Sequence, residues 1–240
     1  MPLLISFAGA LLLSSGFALA EYGRPLFERS GFRWKALSAG VAVAYVFIHV
    51  IPELHQHHQK MLESTMGKFF GSEKLTYFWA LAGFVLFTGL GTVGLRLATD
   101  KPVVGHGTVQ FRFQMAGFAV YMLLIGYLLV VREETSYLSL GLYVFTMALH
   151  VFMLDLHFSE RFLNLYPTQG RVLLASSVIS GSLLGTVEAL PDVVTSGLFA
   201  FVVGGVVIMS ANEEFRAGTG IQFAWFAGGA CFYGVLLLLI

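Results

Sequence analysis

The sequence predicts an all-α integral membrane protein, a bundle of eight transmembrane helices with both termini outside. Three observations carry this. The 240-residue chain is 57% hydrophobic and only 12% charged, against roughly 45–50% and 25% for soluble domains. Its mean hydropathy is +0.78. Apolar stretches near the length that a bilayer requires, about 20 residues, recur along the whole chain with short connections between them. A single domain over 1–240 is expected, with no appended soluble module. Zero net charge and the lack of a basic arm give no support to a nucleic-acid partner. Cys231 is the only cysteine, so there is no intrachain disulfide framework.

The eight windows cover roughly 3–20, 36–54, 76–97, 113–131, 136–158, 171–190, 193–211 and 221–240. The first lacks a basic leader and a polar break after a small-residue cleavage site, so it reads as a retained span. The second ends Ile48-His49-Val-Ile-Pro52-Glu53-Leu-His55-Gln-His57-His58. His49, Glu53 and His57 follow an i, i+4, i+8 spacing that places them on one helical face. Imidazole and carboxylate together suit zinc, iron or manganese; the competing reading is a solvated helix end bent by Pro52. The third span is glycine-rich from Gly83 to Gly94.

The fifth span holds the least ordinary chemistry: His150, Asp155 and His157 in an otherwise apolar run. An ionisable group at membrane depth costs at least ~2.5 kcal/mol unless it is paired or wetted. An interhelical hydrogen bond returns on average only about 0.6 kcal/mol. His150 and His157 share a face, and Asp155 points to a neighbouring one. A cation site, a proton path or a water-lined cleft is the functional reading, with a buried polar pair as the bland one. In the sixth span Gly181-Ser-Leu-Leu-Gly185 offers a close-packing face. Glu188 then stands near the outer end, before Pro191 and Asp192. The seventh passes Gly204-Gly205 and ends with Glu213, Glu214 and Arg216, which read as an acidic inner terminus. The eighth contains Gly228-Gly229.

Orientation follows from the cations. Connections after the odd spans hold ten Lys or Arg: Arg24, Arg29, Arg33, Lys35, Arg96, Lys101, Arg112, Arg161, Arg171 and Arg216. Those after the even spans hold four: Lys60, Lys68, Lys74 and Arg132. The excess marks the inner side, leaving both termini outside or in an organelle lumen.

Together these features resemble the ZIP family of divalent-metal transporters. His49-x-x-Pro52-Glu53 looks like the family's second-span signature. The run from Phe199 through Gly204-Gly205 to Glu213-Glu214 looks like its seventh span, and Ser180-Gly181 with Leu184-Gly185 like its sixth. The family's metal centre lies between spans four and five, and there the chain departs. The pattern His-Asn-x-x-Asp-Gly falls on Tyr121-Met122-Leu-Leu-Ile125-Gly126, where only the glycine is kept. The pattern His-Glu-x-Pro-His-Glu falls on His150-Val151-Phe-Met153-Leu154-Asp155, which keeps the first histidine and an acid at the last position.

The resemblance implies a divergent transporter of a divalent cation, zinc first, then iron or manganese, working by alternating access. His49, Glu53 and the histidines at 55, 57 and 58 would gather metal outside. His150 and Asp155 would bind it, with a carboxylate such as Glu188 able to assist. His157, Glu213 and Glu214 would receive it inside. The metal is substrate, no organic cofactor is implied, and the protein is not expected to be an enzyme. The partners are a lipid bilayer, the cation and a second copy of the chain. The location is a plasma (inner) membrane, with an organelle membrane as the alternative. A second expectation is a ZIP-fold protein that no longer transports and serves as scaffold, sensor or partner subunit. A third is an intramembrane zinc hydrolase built on His49, His150 and Asp155.

Overall fold

The computed structural model describes residues 7–17, 19–20, 22, 32–63, 74–99, 106–131, 137–215 and 220–239. No strand occurs among them. Helix α1 covers Phe7–Phe17. Helix α2 (Phe32–Tyr45) runs through a π-helical turn (Val46–Val50) into α3 (Ile51–Glu63). Then come α4 (Leu75–Thr99), α5 (His106–Val131) and α6 (Tyr137–Arg161). A second π turn (Tyr166–Gly170) leads into α7 (Arg171–Val187), followed by α8 (Asp192–Phe215) and α9 (Gly220–Leu238).

Among the described residues five helical runs are long and apolar enough to cross a membrane: Ala36–Gln59, Thr108–Val131, Leu140–Arg161, Tyr166–Val187 and Asp192–Met209. Shorter apolar helices lie at Phe7–Phe17, Leu75–Leu90 and Phe223–Leu238. Helices are what such a sequence must form in lipid, because each backbone N–H and C=O needs a partner within its own segment. Large apolar side chains face outward, among them Phe78, Phe113, Phe145, Phe223 and Phe232, an exterior suited to acyl chains rather than water. Six cations that set the expected orientation (Arg24, Arg29, Lys68, Lys101, Arg132 and Arg216) lie outside the described residues.

A proline adjoins each of the two π turns. Pro52 follows the first π turn, which closes with the Ile51 N–H on the Val46 carbonyl. Pro167 opens the second, which closes with the Arg171 N–H on the Tyr166 carbonyl.

The chain folds into two compact units, each assembled from separated segments. The first takes Met1–Tyr22, Leu86–Glu133 and Val151–Ala189; the second takes Gly23–Val85, Glu134–His150 and Leu190–Ile240. Helices α4 and α6 therefore pass from one unit to the other.

In the first unit α5 packs on α7. Their closest approach is reciprocal: a Cβ on Gly126 would overlap the Val178 carbonyl, and one on Gly181 would overlap the Leu123 carbonyl. An aromatic cluster fills the unit, with Phe118 against Phe158 at 4.7 Å and Phe87 against Tyr121 at 4.8 Å. In the second unit α2 packs on α9, with Gly40 against the Phe226 carbonyl and Gly229 against the Leu37 carbonyl. There α4 meets α8 in the same way, Gly83 against Phe201 and Gly204 against Ala80. Lipid gives helices no hydrophobic drive to associate, so such backbone-to-backbone approaches supply the packing energy.

Candidate functional site

Asp155 is 1% exposed, and its surroundings are built by short-range helix geometry. Ser159 stands one helical turn further along α6, on the same face. After α6 the chain reverses through Phe162–Leu165, held by the Tyr166 N–H on the Phe162 carbonyl at 3.0 Å. The π turn then sets two side chains side by side. In an α-helix residues five apart diverge by about 140°, and the wider π turn, closed by an i→i+5 bond, narrows that divergence. Those two residues are Tyr166 and Arg171, and both point at Asp155.

The contacts saturate the carboxylate. Oδ1 accepts from the Tyr166 hydroxyl at 2.9 Å and from Arg171 Nε at 2.9 Å. Oδ2 accepts from Arg171 Nη2 at 3.1 Å and from the Ser159 hydroxyl at 3.4 Å. Arg171 Nη2 also lies 3.4 Å from Ser159 Oγ. A carboxylate offers about four lone-pair sites, and here four donor hydrogens meet them. The Tyr166 ring lies 5.9 Å from the guanidinium carbon and rests on Phe158 at 5.5 Å. Gly170 leaves room for it, since a Cβ there would overlap the Tyr166 ring. The centre is thus a neutral, bidentate ion pair of the strong kind, joining α6 to the start of α7. Tyr166→Phe, which deletes one bond to a buried charge, is expected to cost roughly 1.5–3 kcal/mol in unfolding of the purified protein; a loss below 0.5 kcal/mol, about a third of that range's lower end, would contradict this account.

The other expected site residues lie elsewhere. His150 is buried at 9% exposure, but none of the bonds to Asp155 comes from it. The α6 residues up to His150 belong to the second unit and those from Val151 onward to the first. His157 is half-buried with its ring edge-on to Phe158 at 5.5 Å. His49 lies in the first π turn, its ring stacked on Tyr45 at 5.0 Å. Glu53 is half-buried in the first turn of α3. His57 leans instead on α8, with Nδ1 3.0 Å from Ser196 Oγ and its ring stacked on Phe199 at 4.3 Å. His58 is buried, with Nδ1 3.2 Å from Thr76 Oγ1, and His55 is exposed. His49 thus stands in a π turn rather than in a regular α turn, and His57 contacts a neighbouring helix.

Glu188 is exposed at the end of α7, where its N–H bonds the Leu184 carbonyl at 3.0 Å. Glu213 and Glu214 fall in the last turn of α8, and their side chains lie outside the described residues. Among the described residues no three of His, Cys, Asp and Glu gather where they could share a metal ion.

Tyr166, Arg171 and Ser159 are the participants that sequence reasoning missed. A usable signal existed: a membrane-depth acid calls for a named partner, and Arg171 opens the next apolar run. It was counted only toward orientation. Compared with known proteins, the chain matches no family model and no curated protein.

Proposed function

We propose that this is a ZIP-like membrane protein of eight spans, both termini outside, that no longer carries cations and serves as a scaffold, sensor or partner subunit in a plasma (inner) membrane. The saturated Asp155 is the observation that carries the reading. A divalent cation binding there would have to displace Arg171. An uncompensated buried charge costs about 3–5 kcal/mol, equivalent to roughly two to four orders of magnitude in affinity. The five spanning-length helices and the three shorter apolar ones coincide with the eight sequence windows, which supports the count of spans. The cation asymmetry supports the placement of the termini.

A second reading, transport of zinc, iron or manganese, is favoured by one observation on α3. The His57 ring is oriented by a hydroxyl on one nitrogen, as metal-binding imidazoles commonly are.

Uptake of the three metals in a transport-deficient host, with elemental analysis of the purified protein, separates the two. The expected result is no uptake above the empty-vector control and substoichiometric metal. Uptake that disappears in Asp155→Ala would overturn the proposal. Uptake that survives Asp155→Ala but disappears in His49→Ala and His57→Ala would establish the second reading.

A further inference from the structure

We propose that Asp155, Ser159 and Tyr166 form a binding site for guanidinium cations, and that the chain fills it with its own Arg171. The inference deepens the reading above, on which it rests only in taking Asp155 as engaged. The arrangement is selective by shape. Nε and Nη2 meet Oδ1 and Oδ2 as a parallel fork at 2.9 and 3.1 Å, a match that requires a planar donor pair. Ser159 Oγ lies within 3.4 Å of the same Nη2. The Tyr166 ring stands 5.9 Å from Cζ, within reach of a delocalised cation.

An ammonium group is a compact, strongly hydrated point charge and cannot use the fork. A small divalent cation requires oxygen ligands from several directions and surrenders its water reluctantly. The acceptors here are chiefly the two oxygens of one carboxylate, one of them already bonded by a tyrosine hydroxyl. The receptor half is also rigid. Ser159 is one turn from Asp155 on the same helix, and Tyr166 is wedged between Phe158 and Gly170. Removing the Arg171 side chain should therefore leave a shaped vacancy rather than a collapsed one.

The test uses the full chain in detergent or lipid nanodiscs, with Arg171→Ala, and follows the thermal midpoint. A ligand that binds only the folded state raises the midpoint in a saturable way. Methylguanidinium at millimolar concentration is expected to restore a substantial part of the midpoint lost in Arg171→Ala. It should leave wild type unchanged and have no effect on Asp155→Asn/Arg171→Ala. Methylammonium and zinc are the competing probes, and recovery by either to the same extent would overturn the assignment. Absence of any recovery with methylguanidinium would overturn it too.

Arg171→Lys gives an independent measure should the alanine variant fail to accumulate. A guanidinium-shaped site predicts a midpoint well below wild type despite the retained charge. A wild-type midpoint for Arg171→Lys would overturn the assignment. Wild-type metal uptake is a separate measurement, so failure of the rescue and failure of the non-transporting reading are told apart.

Discussion

Asp155→Ala is expected to destabilise the folded protein by about 3–5 kcal/mol. The loss arises less from missing attraction than from what stays behind. Arg171 keeps its charge, with a side chain only 12% exposed, and Tyr166 and Ser159 lose their acceptor. Removing both charges should be far milder. Replacing a buried ion pair by apolar groups of similar volume is often neutral or stabilising, so Asp155→Leu/Arg171→Met should lose clearly less than Asp155→Ala, the remaining loss being that of the Tyr166 and Ser159 hydroxyls left without their acceptor. The readout is a double-mutant cycle from denaturant unfolding in micelles. Additive single losses, or a cost below ~1 kcal/mol for Asp155→Ala, well short of the buried-pair range, would show that the pair does not hold α6 to α7.

The second large effect belongs to the glycine contacts. Gly204→Ala would place a methyl group on the Ala80 carbonyl oxygen, and Gly83→Ala would do the same against Phe201. No rotamer relieves either, because the obstacle is backbone and the helices themselves must separate. Overpacking typically costs 1–3 kcal/mol where side chains can adjust, so a loss at or above the upper end is expected here. Gly228 is the internal control, since nothing lies within 4 Å of a Cβ there. Gly228→Ala should be neutral or gain up to about 1 kcal/mol from helix propensity. Equal thermal midpoints for Gly204→Ala and Gly228→Ala would refute the assignment of α4 and α8 as a close-packed pair.

The helical character was legible because lipid imposes an all-helical backbone, which hydropathy reveals. Among the described residues five of the windows meet a helix of spanning length and three meet a shorter apolar helix, and Gly83, Gly181 and Gly204 stand where small residues were expected to matter. Asp155 was legible as an anomaly. Its partners were not, for a rotational reason. Helix-face reasoning assumes 100° per residue, and both stretches that decide the site break that assumption with a π turn. The Val46–Val50 turn puts His49 in a stretch that the α spacing does not describe. The Tyr166–Gly170 turn brings together two residues that α periodicity would set further apart. Arg171 was also hidden by bookkeeping that treats a cation at the edge of an apolar run as a loop charge. The helical run begins instead at Tyr166, which places that cation within it.

The spacing of the ion pair also sets a timetable for synthesis. Asp155 and Arg171 are 16 residues apart, so the acid leaves the ribosome about 1–3 s before its counter-ion at 5–20 residues per second. During that interval α6 carries an uncompensated carboxylate, whose cost against insertion rises to roughly 2.5–3.5 kcal/mol at a helix centre and is smaller for Asp155, six residues from the end of the Leu140–Arg161 run. Helix α6 alone is thus a hesitant substrate for the insertion machinery, whereas α6 with α7 is a neutral hairpin. The two segments should enter the bilayer together, and a nascent chain truncated before Arg171 should leave α6 incompletely inserted.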